Sequence, residues 1–436
     1  MKEVSKILKK MEESMENKSL KNSWAIAFTV ASIWFGTHVG GGFASGNQII
    51  GYFAQFGSLG SLIFPLISMG LLAFVMSIML KFARLNGFDN YKDTFSALYP
   101  KPWMEVFFEV FYIVIILAAV AAAVAGAGEV LANFLHVPYV GAMKVIFNLL
   151  IVALLVLLSI FGVKLVAAAS TVLSVAIMII TALIIIFGLA NAHTINALSE
   201  EFGVTLASYT PQTGFSVFRA TLVYCAFQCV SIPPMIAAAN EMGTTGTKRS
   251  CILGWLMNGI ALSLSAFMLS KWYPLLAALK AKAGELNAAG QLAGSGLEGF
   301  TNATGIPNQT VLTLMQNATW LLVIFSVLLF CAFVSTCVTL IFTMVQRFAP
   351  KLAKFDSEGE FIAGIQNETL RRVLVAVLAI AVCFSISLLG LTTITTKVYG
   401  YDGYYSLVVV VLPALIWGIP KNKKLEAELK AQGKEI

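Results

Sequence analysis

Gly36-Thr37-His38-Val39-Gly40-Gly41-Gly42-Phe43-Ala44-Ser45-Gly46 is the stretch on which the reading of this chain turns. Its five glycines in eleven residues make a poor helix, at up to ~1 kcal/mol each relative to alanine. Yet it lies in the middle of an apolar run, roughly 24–56, that is long enough to cross a bilayer. Irregular backbone persists in lipid only where protein or a wet cavity satisfies its N–H and C=O groups. Two readings are open. The glycines mark a helix that unwinds near the midplane and offers its freed backbone groups to an anionic group and a cation. Alternatively they are close-packing positions, since Gly36/Gly40 and Gly42/Gly46 both have small-xxx-small spacing.

The rest of the chain supplies the context. Of its 436 residues 58% are hydrophobic and 12% charged, with a mean hydropathy of +0.84. Soluble domains are about 45–50% apolar and about 25% charged. The composition therefore excludes an ordinary cytosolic enzyme and a disordered chain, and it reads as a polytopic membrane protein. Ten spans are expected, at roughly 24–56, 59–81, 105–135, 140–161, 164–190, 215–239, 249–270, 311–347, 371–389 and 401–419. The six cysteines all lie inside apolar runs and read as small hydrophobes without a disulfide framework.

Charge sets the expected orientation. With the N-terminus inside, 23 of the 29 Lys and Arg fall on inner segments, among them six in the N-terminal tail and five in the C-terminal tail. Such an excess of Lys and Arg marks the cytoplasmic side. The net charge of +7 is thus an orientation signal, and no nucleic-acid partner is implied. Both termini are expected in the cytoplasm and the chain in a cell (inner) membrane. The expected organisation is a cytoplasmic tail 1–23, a first five-helix repeat 24–190, an extracellular connection 191–214, a second repeat 215–419 with an extracellular loop 271–310, and a cytoplasmic tail 420–436.

A second interruption stands in the sixth span, at Cys229-Val230-Ser231-Ile232-Pro233-Pro234. Tandem prolines remove two backbone donors and disfavour helix before each. The first and sixth spans open the two five-helix halves, and paired breaks at corresponding places point to an inverted-repeat transporter.

Other motifs carry less. No strand precedes Gly40, Gly42 and Gly46, which excludes a dinucleotide loop, and Gly243 and Gly246 before Lys248 lack P-loop spacing. Ser45 has Phe43 where an intramembrane serine protease needs glycine, so no enzyme is expected. The few ionisable residues inside the spans are functional candidates by default. Glu129 and Arg219, in the outer parts of spans three and six, would meet as an outer gate or form a static pair. His38, inside the first break, carries a proton or fills space. Asp402 and Lys397 flank the outer end of span ten and are expected to be solvated.

The residues resemble a known architecture. Gly36-x-x-Val39-Gly40-x-Gly42 resembles the unwound first helix of LeuT-fold sodium symporters, and Ala332-x-x-Ser335-Thr336 resembles the eighth-helix half of their more widespread sodium site. Gly40-Gly41-Gly42-Phe43-Ala44-Ser45-Gly46 followed by Asn47-Gln48-Ile49 looks like the YkvI-like membrane proteins of the amino acid–polyamine–organocation superfamily. The resemblance implies an all-α LeuT-like fold with helices one and six unwound at the midplane. It also implies one Na+ as coupling ion, held by the carbonyls of Gly36, Val39 and Ala332 and the hydroxyls of Ser335 and Thr336. Phe43 replaces the asparagine that serves a second sodium in some relatives. Past Lys164 the fifth helix offers no lysine of the kind that stands in for sodium in proton-coupled ones.

The expected function is sodium-coupled symport of a small amino acid or related organic solute by alternating access. Gly40, Gly41 and Gly42 would turn their N–H groups to a carboxylate. Thr37, Ala125, Gln228 and Ser231 complete the candidate substrate site. The other classes that remain are a proton-coupled or uncoupled facilitator, a channel, and a sensor that kept the fold; a channel calls for a continuous polar pore lining, which no repeated ring of residues supplies.

Overall fold

The computed structural model describes residues 23–135, 137–161, 163–206, 211–240, 242–355 and 361–432, with no side-chain description at 159–172, 174, 316 and 355. The polar N-terminal tail therefore lies outside the described residues, as do the side chain of Lys164 and much of the fifth-helix stretch that bears on proton coupling.

The chain is almost wholly helical. Among the described residues eight helices are long and apolar enough to cross a membrane, and a bent pair, Val175–Ala190 with Ala192–Glu201, adds a ninth. Trp24–His38, 15 residues, falls short of that length because it breaks after His38. The spans run Trp24–His38 with Asn47–Tyr52, Gly57–Asn86, Glu105–Phe134, Gly141–Phe161, Val163–Ala190, Phe215–Phe227 with Ile232–Ala238, Thr244–Ala288, Thr319–Phe348, Glu368–Ser387 and, after a first turn at Leu391, a continuous helical run to Ala431. Large apolar side chains such as Leu157, Ile179, Val327 and Leu378 stand exposed around the outside, as a lipid-facing surface requires. One two-stranded antiparallel ribbon, Ala353–Phe355 with Phe361–Gly364, joins spans eight and nine.

The first span shows how local sequence dictates shape. Ser23 caps it, its hydroxyl accepting from the N–H of Ile26 at 3.2 Å. The helix ends at His38, where Val39 leaves the helical conformation, and Gly40 is extended, with ψ −178°. A single turn follows over Gly41–Ala44, and Gly46 then adopts φ +82°, a left-handed conformation open to glycine at little cost. The sixth span breaks more gently. It tightens into a 3₁₀ turn over Gln228–Ser231, and Pro233 and Pro234 occupy the first turn of Ile232–Ala238, where a missing N–H costs least.

The breaks are held by long-range bonds. The hydroxyl of Ser406 in span ten donates to the carbonyl of Ala226 at 2.7 Å, and that of Ser68 in span two to Thr221 at 2.9 Å. Tyr52 donates to the carbonyl of Thr395 at 3.1 Å. Trp24 lies under the Arg249 guanidinium, and Lys81 pairs with Glu426 at 2.7 Å, so the start of span one, the end of span two, the start of span seven and the end of span ten share one face of the molecule. We call it the terminal face.

Span seven departs from expectation. It continues as one helix from Thr244 to Ala288, 45 residues, well past the 249–270 window and into the stretch expected as a loop. Its length is about 67 Å at 1.5 Å per residue, roughly twice the hydrocarbon thickness, so its outer turns stand clear of the membrane. The polar residues after Lys271 reflect water, which a hydropathy window cannot distinguish from a helix end. Span eight begins later than expected, at Thr319, because Pro307–Leu314 is a separate short helix.

Topology is directly testable. In intact cells a membrane-impermeant thiol reagent should label cysteines introduced at Glu200 and Ala293, both exposed in the outer connections, and should spare those at Lys101 and Lys351, exposed on the terminal face. The reverse pattern would turn the molecule over.

Candidate substrate and cation site

A cavity of about 730 Å³ opens beside the first break. Its walls come from spans one, three, five, six, eight and ten, with Gly36, Thr37, Gly40, Gly41 and Gly42 on one side and Thr336, Thr339 and Thr343 on another. The lining runs along the first half of span one, from Thr29 and Ile33, both exposed, and along the last half of span eight. The cavity therefore reaches from the midplane to the terminal face. No Asp, Glu, Lys or Arg lies among its lining residues, whereas Phe43, Phe227, Phe333, Tyr112 and Tyr399 do.

The glycine segment brings unpaired backbone to this wall. The carbonyl of Gly40 accepts from Phe43 at 3.1 Å and from Ala44 at 3.0 Å. Among the described residues the N–H groups of Gly40, Gly41 and Gly42 have no backbone acceptor. Close packing also plays a part, since a Cβ on Gly41 would run into the ring of Phe333, as would one on Gly126 of span three. Gly40 is different: a Cβ there would meet nothing within 4 Å. Gly41 is thus a packing position, while Gly40 leaves its backbone beside open space.

His38 pins the break from below. Its Nδ1 lies 2.7 Å from Oδ1 of Asn258 and its Nε2 lies 2.9 Å from the Tyr224 hydroxyl. Asn258 spends its amide N–H on the carbonyl of Gly254, so its oxygen faces His38 and calls for a proton on Nδ1. Neutral His38 then accepts from Tyr224, and the end of span one is tied to spans six and seven. His38 is buried, and this bonding describes a clasp.

The far side of the break is closed. Asn308 donates to the carbonyl of Ala44 at 2.8 Å, and its N–H reaches Ser45 O at 3.2 Å. Asn47 donates to Gly305 O at 2.8 Å and to Thr392 Oγ1 at 2.9 Å, and accepts from Thr395 Oγ1. The segment around Thr304–Asn308 thereby plugs the molecule above the cavity. Glu129 belongs to this closure. It is fully buried, and its Oε1 accepts from Asn302 at 2.6 Å. Lys280, riding on the outer part of span seven, donates to Thr304 Oγ1 at 3.0 Å.

The expected site residues divide. Gly36, Thr37, Gly40, Gly41, Gly42, Gln228 and Thr336 line the cavity. Val39, Ala332 and Ser335 are buried behind its wall, with Ser335 Oγ donating to Ala332 O at 3.1 Å and its lone pairs left for another partner. Ala125 and Ser231 are not on the wall: the carbonyl of Ala125 accepts from Tyr139, and Ser231 bonds back to Gln228 O at 2.7 Å. Ala119, Ala122 and Ala123 present span three to the cavity instead. Glu129 and Arg219 do not meet, because Glu129 faces Asn302 while Arg219 is exposed. Asp402 is 5% exposed, not solvated. Its span begins near Leu391, about three turns before the apolar run, which draws the carboxylate inside. The Asn258 partner of His38 was also missed, although an asparagine amid apolar residues of a span is a usable signal.

Two glycines separate the roles of the break. Gly46→Ala should cost about 2 kcal/mol or more, because φ is positive and a Cβ would stand 2.8 Å from Pro307 and 3.1 Å from Asn308. Gly40→Ala has negative φ and open space, and its thermal midpoint should match wild type. Thermal unfolding of the purified protein in detergent reads both.

No family model matches the chain, and no curated protein does. Among solved structures it is similar to a crystal structure of MhsT in complex with L-phenylalanine, with a TM-score of 0.51 and 13% identity over 92% of this chain and 95% of that chain. The likeness concerns architecture: with its helix order and two broken spans, the chain has a LeuT-like fold.

Proposed function

We propose that this protein is a secondary active transporter that carries a small neutral amino acid, coupled to Na+, by alternating access. The observation that carries this reading is the glycine segment. Free N–H groups at the midplane stand in the wall of a cavity that is open to one face and plugged at the other. In this arrangement the substrate carboxylate meets the N–H groups of Gly40, Gly41 and Gly42, and its side chain lies among Phe43, Phe227 and Tyr399. An uncharged lining favours a neutral solute over a polyamine. The plug argues against a channel, which needs a continuous path.

Alternating access asks two things of the chain. The first half of span one must approach span eight to shut the terminal face, pivoting at the His38 clasp. The Thr304–Asn308 segment must release Ala44, Ser45 and Asn47 to open the other. A sodium ion would be held by the carbonyls of Gly36, Val39 and Ala332 and the hydroxyls of Ser335 and Thr336, a hard-oxygen set suited to an alkali cation. Its charge would draw spans one and eight together. The resemblance to YkvI-like proteins, the cytoplasmic placement of both termini and an inner-membrane location belong to the same proposal.

Sodium coupling is tested at span eight. Thr336→Ala removes a hard-oxygen group from the cavity wall, while Thr336→Ser keeps it. A hydrogen-bond-scale contact to a charge is worth about 1.5–3 kcal/mol, or about tenfold or more in affinity. Substrate binding titrated against sodium, with potassium as replacement, should shift by that factor for Thr336→Ala and little for Thr336→Ser. Because coupling is reciprocal, substrate affinity at fixed sodium should fall with it. Wild-type binding indifferent to sodium would remove the ion from the mechanism.

A further inference from the structure

We propose that the terminal amide of Gln48 is a substrate-binding group, and that together with the glycine segment it selects a ligand carrying adjacent anionic and ammonium groups. Gln48 is the second residue of Asn47–Tyr52, beyond the break. Its side chain turns back onto the glycines and lines the cavity. It is 5% exposed, and its Oε1 has no hydrogen-bond partner. Buried acceptors are paired in the great majority of cases, so an amide oxygen left alone beside the cavity marks the place of an absent partner.

Gly42 is what admits the amide. A Cβ on residue 42 would stand 2.6 Å from Nε2 and 2.9 Å from Cδ of Gln48. Any larger residue there displaces the side chain. The amide therefore lies directly against the peptide units whose N–H groups are free. Its two ends are chemically opposite. Nε2 donates, and adds to the backbone N–H groups on a carboxylate. Oε1 accepts, and suits a neighbouring ammonium. Being uncharged, the amide favours neither a net anion nor a net cation, in keeping with a lining without Asp, Glu, Lys or Arg. The ligand class is a zwitterionic α-amino acid with an uncharged side chain.

This assignment rests on the amino-acid reading above, and the test separates the two. The purified full-length protein, in sodium, is titrated by calorimetry with the twenty L-amino acids. The best-bound one is then compared with its decarboxylated amine and its deaminated acid, for wild type, Gln48→Leu, Gln48→Glu, Gly42→Ala and the double variant Gly42→Ala/Gln48→Leu. Gln48→Leu should weaken the amino acid by about tenfold or more and leave the thermal midpoint at or above wild type, since no bond within the protein is lost. Gln48→Glu should weaken the amino acid and the deaminated acid more than the amine. Gly42→Ala should weaken binding through the displaced amide, so that the double variant binds no worse than Gln48→Leu alone. Gln48→Leu binding within about twofold of wild type overturns the assignment and leaves the amino-acid reading standing. So does loss of binding accompanied by a lower thermal midpoint, which makes Gln48 a packing residue. If wild type binds none of the twenty, the amino-acid reading fails, and the ligand class proposed here falls with it.

Discussion

The constraint beneath this structure is the hydrogen-bonding demand of backbone in lipid. A helix satisfies its own N–H and C=O groups, and a break does not. Each broken span must therefore find partners in neighbouring spans, and the bonds around the first break supply them asymmetrically. Beyond it, Asn308 satisfies the carbonyls of Ala44 and Ser45, and the side chain of Asn47 ties the outer half of the span to Gly305 and Thr395. Before it, His38 is clasped by Asn258 and Tyr224. Between the two, the N–H groups at Gly40–Gly42 have a cavity in place of a protein acceptor.

Packing reinforces this division. Phe333 fills the space that Gly41 and Gly126 leave, and so locks span eight against spans one and three. On the terminal face Arg347 and Glu109 pair across spans eight and three, with Tyr91 beneath the guanidinium. Spans three and eight are thus joined near the midplane and at one end, while the first half of span one borders open volume.

Much of this was legible in the sequence. Glycine at 40 and 46 and proline at 233 and 234 act locally, through backbone conformation and missing donors, and each stands within a turn of the interruption it signals. Lengths were less legible, because hydropathy reports the surrounding solvent and not the helix: Thr244–Ala288 continues into water, and the run holding Asp402 starts among polar threonines. Partnerships were least legible. Glu129 paired with Asn302, and not with Arg219, because the segment after span seven folds back into the molecule, a long-range event that no local pattern encodes. Gln48 reads in sequence as one more residue of a span. Its position against Gly42 depends on the left-handed turn at Gly46 that swings the outer half of the span.

The length of span seven has a mechanical consequence. One end, at Arg249, is held against Trp24, the next turns pack on span two through Trp255, and the outer turns hold Thr304 through Lys280. The same helix passes the His38 clasp at Asn258. Between Asn258 and Lys280 it contains Pro274, which removes a bond from the helical ladder and sets a bending point there. One helix thus touches the first break on both sides, and its most pliable point lies between the two contacts.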